Sequence, residues 1–229
     1  MERCSVSRPA VWRSLAGFSD RNWVKEDSGL YRITIIGEFV LSHYETLAEV
    51  IDCAGERARF FDHLGDIGST FPAEALAETT VVTATPEKPS VALNRFRDAL
   101  TTSTTEQFRA LVPGVRRVVE EVSWHLSTMD AAFELIVGET ALELQTVPDA
   151  LVEARSHEWF RFYMCPKPLE FGMLLSDDYV LVSAYDEWGN LRSCLEGMNE
   201  PLLEWAVDIY KEHRQDATPA DAISGLPQI

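Results

Sequence analysis

The chain has 229 residues, 46% of them hydrophobic, with 37 acidic against 20 basic side chains and a formal charge of -17. That length and apolar content suit one large domain or a small one joined to a medium one. No stretch approaches the roughly 18–20 uninterrupted apolar residues of a membrane helix.

Glu2 and Arg3 precede no apolar run of signal-peptide type, so a cytoplasmic protein with no membrane partner is expected. Cys4, Cys53, Cys165 and Cys194 stand far apart, with no CxxC pair and no histidine at ligand spacing. Free thiols are expected, and neither a metal nor another cofactor is implied.

Charge is unevenly placed. Arg3, Arg8, Arg13, Arg21, Lys25 and Arg32 face only Asp20, Glu26 and Asp27 over the same stretch, a local excess of +3, whereas the remainder is strongly negative. Such a stretch in an acidic chain is consistent with locally directed contact to a polyanion. It begins with a short helix: Ser7 suits the N-cap, Pro9 suits the first turn, and Val11, Leu15 and Phe18 recur at i, i+4 and i+7 as one apolar stripe. Arg8, Ala10, Arg13 and Ser14 lie off the stripe. The helix fades near Asn22; Trp23–Glu26, the turn Asp27-Ser28-Gly29 and Leu30–Ile33 then read as a β-hairpin, with the glycine supplying a positive φ.

After Thr34, a second cap, Val40, Tyr44, Leu47, Ile51, Ala54, Ala58 and Phe61 follow at spacings of 4, 3, 4, 3, 4 and 3. This is a heptad seam of about three repeats, expected on one connector helix over residues 35–64. Such a seam either joins two copies of the chain or packs on the chain's own C-terminal part. The first is preferred, with Tyr44, Leu47, Ile51, Ala54, Ala58 and Phe61 as the homodimer contacts. His43 and His63 read as solvated.

Residues 65–89 read as a loop-rich connection with one short strand, Thr79–Thr83. Beyond it the pattern predicts a helix over Ser90–Ala99, a strand Phe108–Val112, and a helix marked by Val115, Val118, Val122, Leu126 and Met129. A strand Phe133–Val137, a helix from Thr140 and another over Pro148–Arg155 come next. Strands at Trp159–Met164, Phe171–Leu175, Tyr179–Ala184 and Leu191–Leu195 precede a closing helix, Glu200–His213, with Leu202, Trp205, Ala206 and Ile209 inward. This order implies an α/β domain over 65–215 whose sheet is parallel early and antiparallel late, followed by a flexible tail, 216–229. Ligands of open α/β sheets lie at the C-terminal ends of parallel strands, which nominates Pro113-Gly114, Gly138, Glu139, Thr140, Met164 and Cys165 for a small-molecule effector. Glu139 disfavours an anion there, or is an ordinary first-turn acid. His125 and His157 have no partner for acid–base work and read as structural or solvated.

From Ser7 to Leu41 the chain resembles the winged helix-turn-helix regulators of archaea. The residues that carry the likeness are Ser7-Arg8, Val11, Trp12-Arg13, Leu15, Phe18, Asp20-Arg21 and then Tyr31-Arg32-Ile33-Thr34 with Gly37. The resemblance implies a recognition helix whose first half enters the major groove of double-stranded DNA and a wing that touches phosphate. It puts Ser7, Arg8, Trp12 and Arg13 against DNA, with Lys25 and Arg32 on its backbone. Pro9 and Ala10 replace polar residues common there, and the two helices that normally support such a helix are missing ahead of it, so residues 1–34 are read as a partial winged helix.

A second resemblance rests on Phe133–Val137, Gly172–Asp178, Ala184–Gly189, Glu196 and Glu204-Trp205-Ala206. These runs look like the sensor domain of archaeal regulators related to the methanogenesis and filament regulator, common in haloarchaea. The basic residues, 16 Arg against 4 Lys, give an acidic, lysine-poor balance similar to that of proteins from salt-loving archaea. The domain also resembles the phospholipase D fold of sugar-sensing archaeal regulators. Phospholipase D chemistry needs a His nucleophile, a Lys two residues on and a later Asp. With Asp177 as the acid, Glu170 and Gly172 stand where His and Lys belong; with Asp178, Phe171 and Met173 do, so no enzyme is expected. The implied function is a DNA-binding transcriptional regulator with a C-terminal ligand-sensing domain. The alternative is a dimerisation or interaction module, derived from such a regulator, that no longer binds DNA.

Overall fold

The computed structural model of the protein describes residues 7–102, 105–113, 131–138, 154 and 156–220. The chain divides into two compact units, Met1–Cys53 and Ala54–Ile229.

The first unit is built from local signals. Helix α1, Arg8–Asp20, starts from an extended Ser7 with a proline in its first turn. It ends as Asn22 turns to φ 57° and the Trp23 amide donates to the Phe18 carbonyl at 2.8 Å. Strands β1, Val24–Asp27, and β2, Leu30–Ile33, pair antiparallel with Lys25 opposite Arg32 and Asp27 opposite Leu30. Ser28 and Gly29 both have positive φ, 52° and 81°, the two-residue turn whose twist matches the strands it joins. Thr34 ties the hairpin to helix α2, Ile35–Glu56: its hydroxyl donates to the Asn22 carbonyl at 2.6 Å and accepts from the Gly37 amide at 3.1 Å. Gly37 is the only buried residue among those described in this unit; a Cβ there would stand 2.0 Å from the Trp23 carbonyl oxygen.

The connector helix is shorter than its heptad pattern predicts. Helix α2 stops at Glu56, Arg57 leaves helical geometry at φ -104°, ψ 12°, and a separate turn of helix, α3, covers Ala58–Phe61. The physical reason is burial beyond the break. Phe60 and Leu64 are fully buried, Phe61 packs edge-on against Phe60 and Phe71, and Arg57 donates to the Thr79 carbonyl at 2.9 Å. Ala58 and Phe61 therefore lie off the helix that carries Tyr44, Leu47 and Ile51.

The second unit is a mixed α/β domain on an eight-stranded sheet. After two short 3-10 segments, Gly65–Thr70 and Ala73–Glu78, come β3, Thr80–Thr83; α4, Val91–Thr102; β4, Gln107–Val112; β5, Ala132–Gly138; and β6, Phe160–Cys165. They are followed by β7, Phe171–Leu175; β8, Val180–Tyr185; β9, Leu191–Gly197; α5, Glu200–Asp216; and β10, Thr218–Pro219. The strand order is β10-β6-β5-β4-β7-β8-β9-β3. Strands β4, β5 and β6 are parallel to one another and every other pairing is antiparallel, as the sequence order implies. The helices expected over 115–129, from Thr140 and over 148–155 lie outside the described residues, apart from Ala154.

Alternation along the strands sends Phe108, Ala110, Val112, Phe133, Leu135, Val137, Phe160 and Phe162 to one face, where they pack with Ala92, Phe96, Ala99 and Leu100 of α4. The other face carries α5, which starts where the Asn199 side chain accepts from the Leu202 amide at 3.0 Å and buries Leu202, Ala206, Ile209 and Tyr210. Tyr210 was not among the residues expected inward. Trp205 was, but it is half-buried, 5.1 Å from the Phe71 ring, with its indole N–H donated to the Thr70 hydroxyl at 3.0 Å. Ordered structure also runs past 215: α5 continues to Asp216, and Thr218 and Pro219 pair with β6, so the expected tail begins as part of the sheet.

Candidate nucleic-acid interface

The basic stretch folds into α1 and the hairpin, and nothing on α1 is buried. Ser7, Arg8, Trp12 and Arg13 are all exposed, Trp12 at 62%. Arg8 and Trp12 are one turn apart and share a face; Arg13 lies about 100° further round. The Trp12 ring meets Tyr31 of β2 edge-on at 6.2 Å, so helix and hairpin are braced by an aromatic pair. Tyr31 therefore marks the hairpin face turned to α1, and the pleat puts Lys25 and Arg32 on the other face. Both are exposed and directly opposite one another. Two like charges at such a position repel, and an anion between them relieves the repulsion. Arg21 is occupied internally: it donates to the Gly17 carbonyl at 2.9 Å and lies 5.7 Å over the Trp23 ring. The stripe Val11, Leu15, Phe18 is only partly covered, with Phe18 against Trp23 at 5.7 Å.

Along α2, Ile36, Tyr44, Leu47 and Ile51 stand exposed on one side, Tyr44 at 66% and Ile51 at 61%, while Glu38, Glu45, Glu49, Asp52 and Glu56 gather on the opposite side by helical spacing. Ala54 is half-buried and follows the same side.

The nominated effector positions fare differently. Gly138 and Cys165 are register partners on β5 and β6, but Cys165 is fully buried and Gly138 is closed off by Leu169, whose amide nitrogen stands 3.1 Å from where a Cβ would be. Met164 is buried as well. Pro113 is half-buried; Gly114, Glu139 and Thr140 lie outside the described residues.

On β7 and the turn after it, neither acidic register assembles phospholipase D chemistry. Gly172 is buried with the Tyr185 hydroxyl 2.8 Å from a would-be Cβ, and Asp177 and Asp178 are exposed in the turn. No grouping of His, Cys, Asp and Glu suited to a metal ion exists among the described residues. The main interior polar group is structural: Glu196 accepts from Arg95 at 2.7 and 2.6 Å and from the Tyr179 hydroxyl, pinning α4 to β9. Burial and the Glu196 carboxylate both push the Tyr179 phenol up. Burial likewise pushes the Cys194 thiol up to about 12, which keeps it protonated and inert. No local pattern links these residues, which come from α4, the turn before β8 and β9.

Residues 89–216, more than half of the chain, match the family described as methanogenesis regulatory protein FilR1, middle domain. The chain belongs to this family. The FilR1 middle domain takes in α4, α5 and every strand of the large sheet except its edge strands β3 and β10. Residues 1–56 match a second family, described as the HVO_A0261 N-terminal domain. No curated protein matches the chain in sequence. Solved structures similar to it include TrmBL2, an archaeal chromatin protein with a novel mode of DNA binding, at 11% identity over 94% of this chain and 84% of that one, TM-score 0.46. NucT from Helicobacter pylori is similar at 10% identity over 62% of this chain and 98% of its own, TM-score 0.47. Nuc from Salmonella typhimurium, a phospholipase D family member, shows 12% identity over the same shares, TM-score 0.47.

Proposed function

We propose that the protein is a DNA-binding transcriptional regulator that pairs two copies through α2 and senses a small molecule through its sheet domain. The observation that carries this reading is the exposed Arg8, Trp12 and Arg13 set on a helix braced to a hairpin that presents Lys25 and Arg32 side by side, in a chain whose charge is otherwise strongly negative. Membership in a family named for a regulatory protein supports the same class. Ser7, Arg8, Trp12 and Arg13 meet base edges in the major groove, and Lys25 and Arg32 meet phosphate. Tyr44, Leu47, Ile51 and Ala54 join the two copies, which lets a two-fold dimer address two half-sites. Catalysis of the phospholipase D kind is no part of this function, because neither register supplies its His and Lys. No described helix is long and apolar enough to cross a membrane, and the work is assigned to the cytoplasm, where the DNA is.

The test is binding to the promoter of the protein's own gene across a range of salt concentrations. Arg8→Ala and Arg13→Ala are each expected to weaken it about tenfold or more, by loss of base contacts. Lys25→Ala and Arg32→Ala are expected to lower the slope of log affinity against log salt by about one each. Equal affinity in the wild type and all four variants removes the DNA-binding role and favours an interaction module, a reading supported by the many apolar side chains left exposed in the first unit.

A further inference from the structure

The sheet face under α5 carries a row of charges that the proposed interface does not use. Arg109 on β4, Glu134 on β5 and Arg161 on β6 are register partners across three adjacent parallel strands. At about 4.8 Å between strands, the two arginine backbones stand roughly 10 Å apart with the glutamate between them. Glu134 is already engaged from α5: it accepts from the Tyr210 hydroxyl at 2.5 Å and from Arg214 Nε at 3.2 Å. Arg214 in turn lies over the Tyr163 ring at 3.6 Å, which fixes its plane. Arg109 has the Tyr210 ring at 6.0 Å, and neither Arg109 nor Arg161 makes an ion pair among the described residues.

Three arginines thus stand around one carboxylate that only Arg214 engages, an excess of two positive charges along the row in a chain of -17. Of the other charged groups toward the end of α5, Lys167 pairs with Asp216 at 2.7 Å and Lys211 with Asp208 at 3.6 Å, while Glu212 acts on Lys167 from about half a turn round the helix from Tyr210 and Arg214. Within the row Glu134 is fixed by the Tyr210 hydroxyl and Arg214 by the Tyr163 ring, while Arg109 and Arg161 flank Glu134 in register on either side. Guanidinium forks match the tetrahedral oxygens of phosphate in pairs.

We propose that Arg109, Arg161 and Arg214 bind a small phosphate-bearing anion, with Glu134 and Tyr210 as positioning residues for Arg214. Such a ligand ties the last turns of α5 to β4 and β6. This gives the sensing role a ligand class and rests on that reading for its regulatory meaning, while the binding itself does not depend on DNA contact.

Calorimetric titration of the full chain with inorganic pyrophosphate, and with citrate at matched ionic strength, tests it. Pyrophosphate is expected to bind and citrate to bind more weakly. Arg109→Gln and Arg161→Gln, which break no ion pair seen among the described residues, are each expected to weaken pyrophosphate about tenfold or more, with binding unchanged in Lys88→Gln, at an exposed lysine outside both proposed surfaces. Unchanged thermal melts of the free variants separate lost binding from lost folding. No binding by wild type, or equal binding in both variants, overturns the site. Citrate binding as tightly as pyrophosphate overturns the phosphate assignment, and displacement of pyrophosphate by random-sequence duplex DNA overturns the small-ligand assignment. If pyrophosphate binds as expected while promoter DNA does not, this site stands and the regulator reading falls.

Discussion

The two units put the same kinds of residue to opposite use. In the sheet domain every residue of β7, Phe171–Leu175, is buried, as is Val180–Ala184 of β8, the near-continuous run of strands covered on both faces. In the first unit the apolar side chains stay outside: twelve of the fourteen large hydrophobics exposed among the described residues lie between Val11 and Ile51. The sheet domain therefore draws its stability from its own core, whereas the first unit is ordered by a primed turn, the Thr34 cap, two aromatic pairs and one close contact at Gly37. An isolated two-stranded hairpin with such support is marginal, and whatever binds the unit stabilises it by mass action. Surface that costs stability in a lone chain is the surface such a unit offers to a partner.

The sharpest way to break this contrast is to open the core. Leu174, fully buried on the α4 face in register with Ala110, is expected to cost about 3–5 kcal/mol as Leu174→Ala, read from denaturant unfolding. A loss under 1 kcal/mol would mean that the sheet domain does not depend on that core as described. In the first unit the matching test is Gly37→Ala. Its Cβ meets the backbone carbonyl of Trp23, which cannot swing aside as a side chain can, so about 2–3 kcal/mol of local stability is expected to go. Hydrogen exchange reads it: the β1–β2 amides lose protection while those of β7 and β8 keep theirs. Protected hairpin amides in the variant would show that another contact orders the unit.

Alkaline pH acts on the sheet domain by a different route. Burial, with the Glu196 carboxylate beside Tyr179 and the Glu134 carboxylate beside Tyr210, raises both phenols above their ordinary value. Below about pH 10 the phenols are protonated in folded and unfolded chains alike, and they contribute no slope. Above it the unfolded chain ionises first, the folded chain binds more protons, and stability falls by about 1.4 kcal/mol per tyrosine for each further pH unit. Tyr179→Phe and Tyr210→Phe should each flatten that fall in a pH series of denaturant midpoints.

Much of this architecture was legible in the sequence, and the misses share one cause. Strand positions from Phe108 to Leu195 and the hairpin around Gly29 follow from periodicity and turn chemistry, both local. The heptad failed at Arg57 because Ala58 and Phe61 keep a 4,3 spacing while Phe60 and Leu64, between and beyond them, are claimed by the core. Periodicity reports which residues are apolar and not which neighbour takes them. Cys165 and Gly138 are nominated by a rule about strand ends, which does not foresee that Leu169 packs against Gly138, a long-range contact invisible in either residue. The same holds for the row Arg109, Glu134, Arg161: three ordinary charges in sequence become one group only when β4, β5 and β6 are laid side by side in register.

The smallest expected effect on the lone chain is the one that most sharpens the contrast. Ile51 is 61% exposed on the side of α2 opposite its acids, so Ile51→Asp removes almost no buried area. Its cost to a single copy is held to helix propensity and the added acid, within about 0.5–1 kcal/mol. If two copies pair along Tyr44, Leu47 and Ile51, the same change puts two carboxylates into the seam, each without a counter-charge on its own helix face. Sedimentation should then show wild type associating as concentration rises and the variant remaining a single chain, with a melting temperature that no longer depends on concentration. Identical sedimentation would mean that α2 does not lend its apolar side to a second copy, and the first unit's exposed surface would have to answer to a different partner.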